Sequence, residues 1–298
     1  MIISMILFLE WISSIIVMRG NQSILEVMIG DLGCKKWKTI PENIYESPMV
    51  VHDGNILICG GHHEKSCLQL RSGVWKEHSI LNEERNSYTS FVSTPTATFA
   101  FGGGSTPSYE YLPKDSTTWR MGKNEIPGGP FFGSAVAGKS GQEIWLIRDY
   151  WNGNRILKFN VNDHTFREMG TQLNVGRYGF KCCFIPNTNK IMITGGYYNN
   201  GSDLVRIDST EIYNTEDGST TMASPMNFAR CHHGMGVITI NGQDTLVVIG
   251  GSGSDGSVEL YNIETKKWEI SNIRLNGGRT TMLQVLQIKL ADIMSKNI

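Results

Sequence analysis

The sequence is poor in charge and contains no charged block. Charged residues make up 18% of its 298 residues, and the formal net charge is −1. No five consecutive residues carry the same charge. Proteins that bind nucleic acid or acidic membranes use clustered basic residues. We therefore expect no nucleic-acid partner, and membrane contact only through an N-terminal anchor.

Catalytic and metal-binding motifs are also lacking. The chain has no Gly-x-Ser-x-Gly elbow, no P-loop and no paired-carboxylate motif. The adjacent pairs His62-His63 and His232-His233 make no metal site by themselves, because zinc or copper needs three or four converging ligands. Four of the six cysteines show no metal-ligand spacing: Cys34, Cys182, Cys183 and Cys231. We predict a protein that is not an enzyme and holds no metal or cofactor.

What the sequence does contain is a repeat built on paired glycines. The pairs are Gly60-Gly61, Gly102-Gly103, Gly195-Gly196 and Gly250-Gly251, and a fifth copy at residues 144–149 has lost them. The steps between copies are 42, 46, 47 and 55 residues, with Arg148 as the reference point of the degenerate copy. A period of this size indicates one supersecondary unit repeated along the chain.

Each unit is predicted to contain four short strands. Its segments are rich in β-branched and aromatic residues and are bounded by Gly, Asn, Asp or Ser. Four strands in ~50 residues is the size of a propeller blade. Paired glycines let the chain leave the second strand with φ > 0, and a Trp that closes the unit can pack between neighbouring blades.

The repeat resembles that of kelch proteins, which joins a double glycine, a Glu-x-Tyr-type strand and a spaced Trp. The good matches are Glu110-Tyr111 with Trp119, Glu211-Ile212-Tyr213, and Glu259-Leu260-Tyr261 with Trp268. The weaker matches are Leu68-Gln69-Leu70 with Trp75, and Lys158-Phe159-Asn160 with Phe166. The resemblance covers roughly residues 24–289 and implies an all-β, kelch-type propeller.

Two fragments at the chain ends complete the predicted count of blades. Residues 24–27 with Trp37 resemble the third and fourth strands of a blade, and residues 279–290 resemble a first and a second strand. Joined, the fragments make a blade closed by strands from both termini, which removes the open edges of the ring. We predict six blades, of which the first is closed in this way; five blades with frayed ends are the alternative.

The N-terminal segment, residues 1–20, precedes a propeller that we assign to residues 21–298. Residues 1–18 are apolar except for Ser4, Glu10, Ser13 and Ser14. They form either a signal peptide or anchor, or an N-terminal apolar strand, or a stretch upstream of a true start at Met18.

Two further features bear on the compartment. Cys59 and Cys67 flank one predicted hairpin loop and are candidates for a disulfide, with two small buried residues as the alternative. Asn21 and Asn200 begin Asn-x-Ser sequons and are candidate glycosylation sites. Together these features favour a secreted or extracellular protein over a cytoplasmic one.

The loops are where a propeller carries its function. Loops between second and third strands are expected to share one face with the connections between blades. In kelch adaptors the arginine that opens a blade lies on the partner-binding face, so the resemblance implies partner contact for Arg85, Arg177, Arg230 and Arg279. Four guanidiniums would suit an acidic segment of a partner; the alternative is that they brace neighbouring loops. Aromatic anchors are expected at Tyr150, Trp151, Tyr197 and Tyr198.

The sequence therefore predicts a monomeric, non-catalytic propeller that binds a protein. An alternative of the same class is an intracellular kelch adaptor that lacks its BTB module and serves a cullin ubiquitin ligase or actin. An alternative of another class is a secreted copper oxidase or a carbohydrate-active propeller.

Overall fold

The structure is a computed structural model that describes residues 13–18, 24–29, 34–39, 41, 47–61, 64–86, 88–149, 154–240, 242–275 and 284–289. Within these ranges every regular element is a β-strand. None of the described segments forms a helix long and apolar enough to cross a membrane.

Three strands come first along the chain: β1 (Ser13–Met18), β2 (Ile24–Ile29) and β3 (Cys34–Thr39). The strands after them fall mainly into groups of four. Blade I contains β4 (Met49–His52), β5 (Asn55–Cys59), β6 (Ser66–Arg71) and β7 (Val74–Ile80). Blade II contains β8 (Ser90–Ser93), β9 (Ala97–Phe101), β10 (Tyr109–Pro113) and β11 (Arg120–Met121). Blade III contains β12 (Gly133–Ala137), β13 (Glu143–Arg148), β14 (Arg155–Asn160) and β15 (Phe166–Gln172).

The remaining strands follow the same plan with one insertion. Blade IV contains β16 (Lys181–Phe184), β17 (Lys190–Thr194), β20 (Thr210–Asn214) and β21 (Thr220–Ala223). A two-stranded hairpin, β18 (Tyr197–Asn199) and β19 (Leu204–Arg206), is inserted between its second and third strands. Blade V contains β22 (Gly234–Ile240), β23 (Gln243–Ile249), β24 (Ser257–Asn262) and β25 (Lys267–Arg274), and β26 (Gln284–Lys289) comes last.

Each blade is an antiparallel sheet whose strands lie in chain order, so the all-β propeller is confirmed. Five blades are each built from four strands in chain order. Sequence analysis predicted six blades. The other four strands form one further sheet, the terminal sheet, in the order β26-β1-β2-β3. Its second strand, β1, falls inside the stretch predicted as a signal, an anchor or an apolar strand.

The terminal sheet joins both ends of the described chain. β1 pairs antiparallel with β26, from Ser13↔Lys289 to Met18↔Gln284. β26 in turn contacts β22 of blade V and β4 of blade I. The first strands of the five blades also contact one another in sequence, β4 with β8, β8 with β12, β12 with β16, and β16 with β22. The terminal sheet therefore lies between the first and the last blade.

The core lies between blades rather than inside one sheet. Second strands are buried on both faces, and β9 has no residue outside the core, because each is covered by the blade on either side. Phe99 and Phe101 of blade II meet Phe159 of blade III at ring distances of 5.4 and 5.3 Å. Trp119 and Trp268 are buried between adjacent blades, as predicted for the Trp that closes a repeat.

Candidate functional site

One face of the propeller gathers the connections between blades and the loops between second and third strands; we call it the loop face. The Gly61 N–H donates to the Arg85 carbonyl at 2.8 Å, and the Gly196 N–H donates to the Arg230 carbonyl at 2.8 Å. The turns between first and second strands lie instead beside the turns between third and fourth strands. In blade IV, for example, the Thr215 N–H donates to the Asn189 carbonyl at 3.0 Å. The loop face is therefore a continuous surface made by several blades.

Three of the arginines predicted to contact a partner are buried within their own blades. In blade V, Arg230 is 0% exposed and forms an ion pair with Glu259 on the third strand, which is also 0% exposed. Its Nη1 donates to the carbonyls of Gly250 at 2.8 Å and Ser257 at 3.1 Å. The second carboxylate oxygen of Glu259 accepts from the backbone N–H of Asn227 at 2.7 Å and from its side chain at 2.8 Å.

Blades II and IV repeat this arrangement, which we call the Asn–Arg–Glu clamp. The ion pairs are Arg85–Glu110 at 3.1 Å and Arg177–Glu211 at 2.7 Å, with all four side chains 0% exposed. The equivalent residues are Asn82, Arg85, Gly102, Ser108 and Glu110 in blade II, and Asn174, Arg177, Gly195, Ser209 and Glu211 in blade IV. Each clamp fastens the incoming connection to the glycine pair and the third strand.

This geometry corrects the prediction of direct partner contact for Arg85, Arg177 and Arg230. Their guanidiniums are unavailable to a partner, and the buried carboxylates neutralise them. These three arginines therefore no longer support the expectation of an acidic partner. The alternative of bracing loops is what the structure shows, and Arg279 lies outside the described residues.

The clamp also has a sequence signal that the analysis did not use. The arginine is always preceded by Asn three positions earlier, and the glutamate by Ser two positions earlier: Asn82 and Ser108, Asn174 and Ser209, and Asn227 and Ser257. Sequence analysis recognised these glutamates as part of the repeat, but it did not connect them to the arginines.

Blade III replaces the clamp with a different arginine. Arg148 stands where the other blades have a glycine pair, and it is 0% exposed. Its Nη1 donates to the Pro127 carbonyl at 2.8 Å, and its Nη2 donates to the carbonyls of Gly128, Gly129 and Pro130 at 3.1, 3.2 and 2.9 Å. A guanidinium thus anchors this connection too, from the second strand instead of from the connection.

Aromatic rings meet at the centre of the loop face. Tyr88, at the start of blade II, lies 6.2 Å from Phe132 of blade III and 6.0 Å from His232 of blade V, measured between ring centroids. His232 also meets Tyr197 at 5.8 Å, and Tyr197 stacks on Tyr178 at 5.0 Å. Because blades II and V are not neighbours, this central aromatic cluster bridges the ring.

The two described histidines of the second pair have separate roles. Burial lowers the pKa of His232 to about 4, and the positive charge of Lys181 adds to the effect. His233 is 0% exposed, its Nε2 lies 2.8 Å from the Thr194 hydroxyl, and burial holds its pKa well below the usual value. Among the described residues no three His, Cys, Asp or Glu side chains come together as metal ligands, and His62 and His63 lie outside that set.

The hairpin β18–β19 presents apolar side chains on the loop face. Tyr198, Leu204 and Val205 are 40%, 48% and 44% exposed. Sequence analysis expected Tyr197 and Tyr198 as aromatic anchors; Tyr197 is partly buried in the central aromatic cluster and Tyr198 is exposed. The other expected anchors, Tyr150 and Trp151, lie outside the described residues. The hairpin itself was predicted only as a loop.

The two candidate glycosylation sites differ in what the structure describes. Asn200 is exposed at the tip of the hairpin, where its Oδ1 accepts from the backbone N–H of Ser202 at 3.0 Å and of Asp203 at 2.7 Å. Asn21 lies outside the described residues.

A cleft of about 620 Å³ opens on the loop face where blades I and II meet. Residues 82–86 of the connection form one wall, residues 103–106 form another, and Gly61 and Lys65 come from blade I. Phe132 also lines the cleft, so the cleft adjoins the central aromatic cluster.

The loop of blade I that borders the cleft is held by a disulfide. Cys59 and Cys67 pair directly across β5 and β6 and are covalently linked, with their Cα atoms 4.1 Å apart. This confirms the predicted disulfide. The bond closes the loop that carries Gly61 and Lys65, so it restricts one wall of the cleft.

Comparison with known proteins supports the fold alone. No known sequence family and no curated protein matches the chain. The solved structure of YjhT is similar, with a TM-score of 0.64 and 12% sequence identity over 79% of this chain and 85% of that chain. The fold is common, with 747 matching solved chains, so it does not indicate one activity.

Proposed function

We propose that this protein is a kelch-type propeller that binds a protein partner through its loop face without catalysing a reaction. In this proposal the terminal sheet is the sixth blade. Its position between blades I and V supports that role, because an open ring would expose two sheet edges. Kelch membership is supported by the three clamps, which use the double glycine and the Glu of the Glu-x-Tyr-type strand.

The observation that carries the binding role is the exposed apolar and aromatic surface of the loop face, which also bears the cleft. The exposed residues of the hairpin and Tyr88, 38% exposed, share the loop face with the cleft. Other large exposed apolar residues lie on fourth strands, as with Ile80 of β7 and Ile270 of β25. Tyrosine and other aromatic residues dominate binding energy where they can be desolvated by a partner.

The Cys59–Cys67 disulfide favours an extracellular setting for this interaction. Stable structural disulfides form in oxidising compartments and are rare in the cytosol. The proposal is therefore a secreted or cell-surface binding module, and the cytoplasmic adaptor is its alternative.

Capture of partners with matched variants tests the binding role. The full chain, its Tyr198→Ser/Leu204→Ser variant and a Val74→Ser/Ile270→Ser control are immobilised and exposed to conditioned medium and to lysate. Val74 and Ile270 are 56% and 51% exposed on fourth strands, so the control removes two exposed apolar side chains away from the hairpin. We expect a partner that is retained by the wild type and the control and lost by the hairpin variant. A partner lost only by the control would move the binding surface to the fourth strands and reject the proposal.

A further inference from the structure

The cleft between blades I and II contains an acidic group fixed in place. Oε2 of Glu83 accepts from the Thr106 hydroxyl at 2.9 Å and from the Ser108 hydroxyl, and it lies 3.5 Å from Nη2 of Arg85. These contacts hold the carboxylate in one position, although a third of the Glu83 side chain remains exposed. A positioned carboxylate loses little conformational freedom when it binds a cation.

The charge of the cleft is negative once the clamp is taken into account. Its lining includes Glu83, Glu84, Lys65 and Arg85. Arg85 is compensated by buried Glu110 behind it, so the five groups together carry three negative and two positive charges. Lys65 donates its Nζ to the Asn82 carbonyl at 3.0 Å. The surface that sequence analysis expected to be positive is therefore acidic at this cleft.

The remaining walls suit a planar or extended cation. Phe132 lines the cleft, and an aromatic ring attracts a guanidinium or ammonium group. Gly103 also lines the cleft with φ +75°, and a Cβ on it would lie 1.8 Å from the Thr89 hydroxyl. Only glycine permits this backbone path, so this part of the cleft wall depends on it. A volume of about 620 Å³ accepts more than one side chain.

We infer that the cleft binds a basic side chain, arginine or lysine, from an extended segment of the protein partner. This inference rests on the proposed function and names the chemistry of its contact. The carboxylate of Glu83 receives the charged donor, Glu84 adds negative potential, and Phe132 provides the aromatic wall. The Cys59–Cys67 disulfide supports the site by closing the loop that contributes Gly61 and Lys65.

The test selects peptides from a phage-displayed random library on the full, disulfide-bonded chain. Selected peptides are synthesised with a fluorescent label, and their affinity is measured by anisotropy. Each is compared with a version in which citrulline replaces arginine, or norleucine replaces lysine. We expect selected peptides to share a basic residue whose replacement weakens binding about tenfold or more, the usual effect of losing a charge-assisted hydrogen bond.

Variants of the protein locate the effect. Glu83→Gln keeps an acceptor for Thr106 and Ser108 but removes the charge, and Glu84→Gln changes a neighbouring exposed side chain. Each substitution is expected to weaken the binding of the basic peptides. The control Glu264→Gln, in an exposed turn of blade V, should leave their affinity unchanged. Basic peptides that bind all three variants like the wild type would overturn the inference.

The outcomes separate the two proposals. Selected peptides without a basic residue, whose binding is lost in the Tyr198→Ser/Leu204→Ser variant, would overturn the basic-residue inference and leave the loop-face proposal standing. Selected peptides that bind Glu83→Gln, Glu84→Gln and the hairpin variant as well as the wild type would overturn both.

Discussion

At the scale of single residues, the stability of the fold depends on the hydrogen bonds and ion pairs of its buried arginines. A guanidinium carries five N–H donors and keeps its charge in nearly any setting. In the clamp of blade V the two terminal nitrogens of Arg230 donate to a carboxylate, two carbonyls and a serine hydroxyl. Removing one member of a buried ion pair is costly because the other charge stays buried without compensation.

Arg230→Ala should therefore destabilise the protein strongly, by about 3–5 kcal/mol. Arg155→Ala provides the matched control, since Arg155 pairs with Glu168 while both side chains are nearly half exposed. An exposed pair contributes about 0–1 kcal/mol. The free energy of unfolding, measured by urea denaturation, distinguishes the two. Equal losses would contradict the buried clamp.

His232 gives a prediction for pH dependence. Its pKa is about 4 in the folded protein, against about 6.5 for an unfolded histidine. The unfolded chain therefore binds more protons between these values, so stability is lost as pH falls from 6.5 toward 4. At 1.36 kcal/mol per pKa unit, the loss from pH 7 to pH 5 is about 2 kcal/mol.

Between pH 7 and pH 5, the variant His232→Asn should lose about 2 kcal/mol less stability than the wild type. Asparagine tolerates the φ of +51° at this position. Urea denaturation at pH 7 and at pH 5 measures the difference. Parallel losses in both proteins would show that His232 is not buried in its neutral form.

At the scale of elements, blade III shows that the repeat keeps a function while changing the residue that performs it. Arg148 satisfies four carbonyls of residues 127–130 from the second strand. The glycine pair that the other blades need to approach their connections is absent from this blade. In four blades a guanidinium therefore anchors the incoming connection, although the arginine that supplies it lies at a different position of the repeat in blade III.

Arg148→Ala should loosen the connection into blade III more than any other element. Four carbonyls would lose their donors, and unsatisfied buried polar groups cost about 1–3 kcal/mol each. We expect faster backbone hydrogen exchange around residues 127–133, read by mass spectrometry, with little change in blade V. Uniform acceleration across all blades, or none, would contradict a local anchoring role.

Local patterns explain what sequence could predict at this scale. The four strands of each unit and the Cys59–Cys67 disulfide follow from residues close in the chain. Arg85 and Glu110 are 25 positions apart, so their contact depends on sheet register, which the sequence pattern does not show. The hairpin β18–β19 was missed because residues 197–206 combine polar turn residues with only short apolar stretches. The cleft could not be predicted because four separate segments of the chain form it.

At the scale of the whole molecule, stability depends on how the chain ends meet. β26 pairs with β1 and contacts both blade V and blade I. Without β26 the first strand of the terminal sheet would be missing and the contact between blades I and V would be broken.

Deletion of residues 284–298 should therefore give an insoluble protein or one that melts much lower than the full chain. Deletion of residues 290–298 alone retains β26 and should melt close to the full chain. Thermal unfolding followed by circular dichroism compares the two. A normal melting temperature without β26 would show that the propeller does not depend on this closure.

Hydrogen exchange of the full chain with and without its captured partner tests the loop-face proposal most directly. Binding at the loop face should slow exchange in residues 82–86, 103–106 and 197–206, which belong to the cleft and the hairpin. Exchange in the turns at residues 161–165, 215–219 and 263–266, which join third and fourth strands, should stay unchanged. Protection of those turns, with no change in the cleft and the hairpin, would contradict the account.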